Sequence, residues 1–464
     1  MFMRLTSLKT PLLLALICLA FPATFFALLG RWIYLMRPVF NIDYLLAGAA
    51  LAFLPVWLGS VLFGLVLFND LIYNIAPIYH FQITDVFLSL EDLRHVNLLE
   101  MAPILFGVFV TGVLIAALSG RFLAPLGRSN RKATVAVLVS CALLVSAVDI
   151  LNGTSFLPLR ISRSFMNFNF AYSGARSTYK AFNEASFGSL NLSPLSPEQS
   201  ATGHSGFADS LQGENLLLVV VESLGSFQDE TLDRELFSLV SKPEIAAKYE
   251  ISFGRVPFVG HTIQGEFREL CGVLLHGMGK GEFPDCLPSR LRRKGYRSFG
   301  AHGFTNQFYR RYQWYPRLGF DEALLAEDLR QANLSSSCGS GFSGLCDGEM
   351  LDWARAKLTQ GTDGKPVFVY LLTLNSHHPV SAKNAEGSRY SCESNARVAE
   401  NPEVCLHNRI LARVLDGIVS LALAPELPRT RILIVGDHAP PFLGARERAL
   451  YRQDVVPYYS LSPR

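Results

Sequence analysis

Residues 215–223 read NLLLVVVES, six aliphatic residues in unbroken succession that stop abruptly at Glu222 and Ser223. An apolar run of strand length without alternation is buried on both faces, as in a parallel sheet covered by helices. Two other stretches share the pattern, VFVYLLTLNSHH at 367–378 and RILIVGDH at 431–438, and YRSFGAHG at 296–303 is a weaker version. Helical stretches lie between them, including 322–332 and 348–359. The alternation predicts an α/β domain with a mostly parallel central sheet. Ligands of such sheets gather outside the carboxyl ends of the strands. The four runs deliver Glu222, then His302, then His377 and His378, then Asp437 and His438 to those ends. One polar strand end is ordinary turn chemistry, but ionisable residues at four ends make a candidate site.

Upstream the composition changes. The chain has 464 residues, half of them hydrophobic, and the apolar excess is concentrated before about residue 151. A net charge of +3 leaves no footprint for nucleic acid. Segments 11–30, 44–69, 102–120 and 133–148 are long and apolar enough to span a bilayer. Residues 1–150 therefore read as transmembrane helices, four clear and a fifth open. A signal peptide would account for the first segment and none of the others. The loop GRFLAPLGRSNRKA carries Arg121, Arg128, Arg131 and Lys132 with no acidic residue, which marks it as cytoplasmic. The acidic loop SLEDLRHVNLLE at 89–100 is external, and so is everything after the last span. Four spans would also put the N-terminus outside, against the preference of Arg4 and Lys9 for the inside. A fifth pass within 44–90 would reconcile the two.

Residues 151–213 are rich in Ser, Asn, Gly and Pro and read as a linker to a domain over 214–464. Within the linker, LPLRISRSFMNFNFAYSGARSTYKAF mixes aromatic and basic residues. Both an interfacial helix on the membrane surface and a plain tether fit that composition. Cys18 and Cys141 fall inside spans, where thiols act as small hydrophobes. The other six come at short intervals: Cys271 and Cys286, Cys338 and Cys346, Cys392 and Cys405. Such usage predicts three disulfides in an oxidising compartment, local pairing being the simplest of fifteen connectivities. A zinc cluster is the competing reading, but no CxxC is present and the intervals suit neither a finger nor a ribbon.

Glu222, Asp437 and His438 are two carboxylates and an imidazole, a set that suits one divalent ion, Zn²⁺ or Mn²⁺, with Mg²⁺ also open. A nearby hydroxyl on that ion would become a nucleophile near neutral pH. The stretch GHTIQGEFRELCG at 260–272 offers Thr262, which would serve as nucleophile and fourth ligand. His302, His377 and Arg311 would bring positive charge and donors to phosphoryl oxygens. Each residue also has a structural reading: Asp437-His438 as a turn cap, Thr262 as a helix cap. Ser223, beside Glu222, is a rival hydroxyl.

These motifs resemble the alkaline phosphatase and sulfatase superfamily, and within it the membrane-anchored phosphoglycerol transferases similar to lipoteichoic acid synthase. VVVESLGS resembles the first metal-carboxylate motif, GHTIQGEF the nucleophile motif, SHHP the Asn/Ser-His-x-Pro motif and VGDHAP the closing Asp-His pair. AHGFTNQFYRRYQWYPRLGFDE resembles the segment that binds glycerol phosphate. There Arg311 falls on the family's arginine, and Tyr309 stands where a tryptophan is usual. The resemblance covers roughly 215–460. It implies a sulfatase-like catalytic domain over 214–464, with Glu222, Thr262, Asp437 and His438 as metal ligands. It further implies His302, Tyr309, Arg311 and His377 as substrate-binding residues. No histidine follows His438, which favours the phosphoglycerol branch over the phosphoethanolamine one and a single core metal.

The expected activity is transfer of phosphoglycerol from phosphatidylglycerol to an envelope glycan or glycolipid through a phospho-threonine. The expected place is a bacterial inner membrane, crossed several times, with the catalytic domain on the periplasmic side. The rivals are a phosphoethanolamine transferase, a membrane-tethered phosphodiesterase and a non-catalytic membrane scaffold. A sulfatase proper is disfavoured because no Cys/Ser-x-Pro-x-Arg motif occurs.

Overall fold

The structure is a computed structural model, described for residues 8–33, 35, 41–80, 92–95, 98–153, 190–209, 211–277, 281–360 and 364–464. The chain divides into two compact units, a helical one near the N-terminus and an α/β one.

In the helical unit, α1 is Lys9–Leu29, α2 Asp43–Phe53, α3 Val56–Ile75, α4 Leu98–Arg128 and α5 Arg131–Gly153. Among the described residues, three stretches, Lys9–Leu29, Val56–Tyr79 and Phe106–Arg128, are long and apolar enough to cross a membrane. Large apolar side chains such as Leu16, Phe106, Phe109 and Leu143 point outward, as a lipid-facing surface would require. The expected span 44–69 is not one helix. Pro55 has no N–H to donate and restricts the residue before it, and Leu54 is extended (ψ 165°), so the segment breaks there into α2 and α3. The two helices then pack closely, since a Cβ on Gly59 would meet the Cα of Leu51 at 2.8 Å. Arg128 closes the C-terminal end of α2, donating to the Leu51 carbonyl at 3.2 Å and to that of Leu54. At 11 residues α2 is too short to span a bilayer. The expected segments 11–30, 102–120 and 133–148 fall essentially on α1, α4 and α5.

In the α/β unit, β1 is Asn191–Pro194, β2 Asn215–Val221, β3 Tyr249–Pro257, β4 Val273–Gly277 and β5 Arg297–His302. After them come β6 Glu322–Leu324, β7 Val367–Leu372, β8 Thr430–Gly436 and β9 Val455–Pro463. Among the described residues the main sheet runs β3-β9-β8-β2-β7-β5-β6. Its central pairs β8/β2, β2/β7, β7/β5 and β5/β6 are parallel, and β9 adds to β8 and β3 to β9 antiparallel. The opening run occupies the middle. Leu217, Val219 and Val221 pack into one apolar cluster and Leu216, Leu218 and Val220 into another, so each face of β2 has its own core. That two-sided burial is why the run shows no alternation.

Two sequence expectations are corrected. Residues 322–324, read as the start of a helix, form the edge strand β6, and the helix begins at Ala326. Residues 190–213, assigned to the linker, belong to the α/β unit. There β1 pairs with β4, Ala201 and Phe207 are buried, and the Glu269 carboxylate accepts the N–H groups of Ala201 (3.2 Å) and Thr202 (2.9 Å). A Ser- and Pro-rich composition marked this stretch as a tether, but a buried carboxylate on the domain satisfies its backbone. The proposed interfacial helix lies outside the described residues. The six cysteines of the α/β unit pair locally, as Cys271–Cys286, Cys338–Cys346 and Cys392–Cys405.

Candidate active site

Four strand ends and one helix N-terminus converge. β2 runs out into Glu222 and Ser223, and β8 into Asp437 and His438. The helix α6, Thr262–Cys271, starts at Thr262 with His261 as N-cap. It presses directly on the β8 end because residue 265 is glycine: a Cβ there would meet the Asp437 Cβ at 2.7 Å. Arg268, one turn along, holds the same strand end by donating to the carbonyls of Gly436 (2.6 Å) and Asp437 (3.2 Å).

Thr262 is buried and makes no capping bond; its hydroxyl donates to Glu222 Oε2 at 3.1 Å and lies 3.5 Å from His438 Nε2. His438 Nε2 is 3.3 Å from Glu222 Oε1 and 3.4 Å from Asp437 Oδ2. The ligand atoms of Glu222, Asp437 and His438 all lie within 4.8 Å of one another. Asp437 Oδ1 accepts the N–H groups of Ser223 (2.8 Å) and His438 (2.7 Å), while Oδ2 is buried without a hydrogen-bond partner. His438 Nδ1 lies 3.0 Å from the Ala439 carbonyl, which keeps a proton on Nδ1, so it is Nε2, facing two carboxylates, that becomes a free lone pair when a cation displaces its proton. Lone pairs converging on one point in a buried site fit a cation.

The electrostatics agree with that fit. Burial and the charge of Glu222 push the Asp437 carboxyl up to about 8. Burial would lower His438, but Asp437 and Glu222 overcome it and raise the imidazole to about 9. Against its own burial, Glu222 is held well below the usual carboxylate range by His377 and His438. Crowded carboxylates that retain a proton at neutral pH are sites where a divalent ion replaces protons. When bound, such an ion would be held by Glu222, Thr262, Asp437 and His438 and would stabilise the Thr262 alkoxide.

Ser223, the rival hydroxyl, serves as a brace. It sits in the left-handed region (φ 56°), its N–H holds Asp437 and its hydroxyl donates to Glu222 Oε1 at 2.9 Å.

Beside Thr262 a small pocket is lined by Glu222, His302, Tyr309, Arg311 and His377 together with Phe304, Phe308, Phe342 and Leu374. All four substrate-binding candidates are thus brought together beside Thr262. His302 Nδ1 is 3.1 Å from the Leu372 carbonyl and His377 Nδ1 2.7 Å from that of His378. Burial, with Arg311 and other positive groups nearby, lowers both imidazoles, so they rest neutral rather than cationic as expected from sequence. The permanent cation is Arg311. Its Nη2 and Nε donate to Glu266 Oε2 at 2.8 and 3.2 Å, and its guanidinium lies 5.3 Å from the Tyr309 ring.

Sequence reading missed the layer behind these groups. Glu266 is fully buried and also accepts from the Tyr315 and Tyr370 hydroxyls, at 2.5 and 3.1 Å. Asp347 accepts the N–H groups of Leu374 (2.8 Å) and Asn375 (3.0 Å) and shapes the turn that leads to His377. No local signal identifies Asp347, because its partners are 27 and 28 residues away.

The chain is similar to phosphoglycerol transferase I of Salmonella choleraesuis, 23% identical over 197 residues, which is 40% of this chain and 25% of that protein. It therefore spans about a quarter of that relative's length. Similar solved structures include an alkaline phosphatase superfamily protein from Vibrio parahaemolyticus (17% identity, 59% of this chain and 64% of that one, TM-score 0.36). The lipoteichoic acid synthase of Listeria monocytogenes is another (15% identity, 61% and 71%, TM-score 0.37). The soluble domain of a lipooligosaccharide phosphoethanolamine transferase from Neisseria meningitidis is a third (15% identity, 55% and 78%, TM-score 0.35). Residues 214–456, just over half of the chain, match the Sulfatase family model, and the chain belongs to that family.

Proposed function

We propose that this protein is a metal-dependent phosphoglycerol transferase, moving the headgroup phosphate of phosphatidylglycerol to a hydroxyl of an envelope glycan or glycolipid. The observation that carries the reading is the place of the Thr262 hydroxyl, 3.1 Å from Glu222 Oε2 and 3.5 Å from His438 Nε2, on the floor of a pocket walled by Arg311. In the first step Thr262 Oγ forms a bond to phosphorus and the bond to diacylglycerol breaks. The threonine proton leaves with the diacylglycerol hydroxyl. In the second step an acceptor oxygen bonds to phosphorus, the phosphorus–Thr262 bond breaks, and the acceptor's proton returns to Thr262. A bound Mn²⁺ or Zn²⁺ would supply charge stabilisation to both steps.

The residues of the chain have separate tasks in this scheme. Thr262 opens a ten-residue helix, so a phosphoryl group on it meets the positive end of the helix dipole. Arg311 offers a permanent charge to the non-bridging oxygens, and that charge repels the ammonium of ethanolamine, which favours glycerol as headgroup. His302 and His377, neutral at rest, present imidazoles that a phosphoryl anion would draw into protonation. The apolar helices would hold the catalytic unit at the bilayer where the donor is concentrated, on the outer side in keeping with its three disulfides.

Vesicles containing the full chain, Mn²⁺ and phosphatidylglycerol labelled in the headgroup test the reading. Expected are diacylglycerol release and a labelled phospho-threonine at 262, both lost in Thr262→Ala. Undiminished diacylglycerol release by Thr262→Ala would remove the nucleophile and the mechanism together. Release from phosphatidylethanolamine alone would move the assignment to the ethanolamine branch.

A further inference from the structure

We propose that the loop closed by the Cys338–Cys346 disulfide is a positioning element of the active site: Phe342 at its tip sets the imidazole of His377, and the bridge sets Phe342. The inference rests on the transfer reading above, in which His377 faces the phosphoryl group. The sequence of the loop, SSSCGSGFSGLC at 335–346, has little to order it. Glycine and serine dominate, and such a stretch is a flexible chain when nothing restrains it. Here the restraint is cross-linking. Cys338 and Gly344 exchange both backbone hydrogen bonds at 2.9 Å, and the disulfide from Cys338 to Cys346 locks that pair. The Leu345 N–H donates to the Gly303 carbonyl at 2.8 Å, directly after His302 at the end of β5. A Cβ on residue 344 would overlap the same carbonyl, so glycine lets the loop sit this close. Of the two large side chains inside the ring, Leu345 is buried in the core of the sheet and Phe342 turns to the pocket beside Thr262.

The ring bears on the turn that carries His377 at three points. The first is Phe342 itself. Its ring centroid lies 4.1 Å from that of His377, closer than to those of Phe308 (5.5 Å) and Phe304 (5.9 Å). An aromatic face at that distance limits rotation of the imidazole, whose Nδ1 is already anchored 2.7 Å from the His378 carbonyl. The second point is Asn384. It accepts the Gly339 N–H at 3.3 Å and donates to the Asn375 carbonyl at 3.0 Å, two residues before His377. The third is Asp347, which follows Cys346 in the chain and accepts the N–H groups of Leu374 and Asn375. A loop that only walled the pocket would need the phenyl ring but no tie to residues 374–377. A group that must meet a phosphoryl oxygen in one orientation needs both, since its rotamer is fixed by what packs and bonds behind it.

A double-mutant cycle tests whether Phe342 acts through His377. Vesicles with the full chain, Mn²⁺ and labelled phosphatidylglycerol give kcat and KM for diacylglycerol release. Phe342→Ala is expected to lower kcat on the order of 10–100-fold, the cost of a misplaced group at the reacting centre, with KM nearly unchanged. Phe342→Tyr keeps the ring and is expected to recover most of the rate. In a His377→Ala background, adding Phe342→Ala is expected to cost about twofold or less, because the group it positions is already gone. Cys338→Ser with Cys346→Ser is expected to follow Phe342→Ala in both backgrounds. Phe342→Ala retains the bridge, so the cycle stands even where the double serine variant does not fold. An equal loss from Phe342→Ala with and without His377, or an unchanged kcat in Phe342→Ala, overturns the inference while Thr262-dependent release keeps the transfer reading. A folded double serine variant with full kcat overturns the part given to the bridge. Absence of Thr262-dependent release overturns the inference and the transfer reading together.

Discussion

His407 Nε2 lies 3.0 Å from the carbonyl oxygen of Ser223, and both residues are fully buried. Ser223 in turn touches both carboxylates of the metal candidate site, through its N–H to Asp437 and its hydroxyl to Glu222. The imidazole thus pins a left-handed serine whose three polar groups all have tasks. Removing the donor in His407→Ala should release this brace and weaken Mn²⁺ binding by roughly 10–100-fold, the range for groups that orient metal ligands. His407→Gln, which retains an N–H donor, should recover most of the affinity. Titration calorimetry on the full chain in detergent measures both; equal affinities in wild type and His407→Ala would refute the brace.

The same residue gives a pH prediction. Burial, the largest cause, lowers the His407 imidazole to about 4 from an ordinary value near 6.5. The unfolded chain then binds a proton between those values and the folded one does not, so stability falls as pH falls from 6.5 to 4. The shift corresponds to about 3 kcal/mol at its full extent. Thermal melts of wild type and His407→Gln should diverge across that window, with the variant losing less on acidification. Parallel melting curves from pH 7 to 4 would contradict it.

The centre of the fold was legible because its strands are buried on both faces, and such runs as 215–221 and 431–436 admit few other readings. The edges were less so. β3 alternates between exposed and buried residues, and β9 is joined antiparallel to β8, a pairing no local pattern announces. Of the site, Glu222, Asp437 and His438 could be read at strand ends because the chain itself positions them there. Glu266, Asp347 and His407 could not, since each acts through buried contacts on residues far away in sequence. The break at Pro55 is written in the sequence but hidden by hydropathy that runs continuously across it.

Disulfide Cys271–Cys286 ties off the helix that begins at Thr262. The bridge closes a loop with a sequence separation of 15, for which chain entropy gives about 3 kcal/mol. Cys271→Ser with Cys286→Ser should therefore lower the melting temperature of the full chain by several degrees. It should also slow labelling of Thr262, since the helix that presents the hydroxyl loses its far anchor. A double variant with an unshifted melt would show that packing alone fixes the helix.

Arg311 has a structural task as well as a proposed catalytic one, and the two can be separated. Its guanidinium is buried against Glu266, with Nη2 2.8 Å from Oε2, and the Tyr315 and Tyr370 hydroxyls complete the carboxylate's partners. Breaking such a pair from one side leaves an uncompensated buried charge, so Glu266→Ala is expected to cost about 3–5 kcal/mol of stability. Replacing both partners by neutral groups of similar size removes the charge imbalance, and Glu266→Gln with Arg311→Met should regain much of that loss. Stability and transfer then part company. If Arg311 also meets the phosphoryl oxygens, the double variant folds, binds Mn²⁺ and still fails to release diacylglycerol. If the double variant recovers transfer along with its melting temperature, the guanidinium serves the fold alone and the phosphoryl charge is met by His302 and His377.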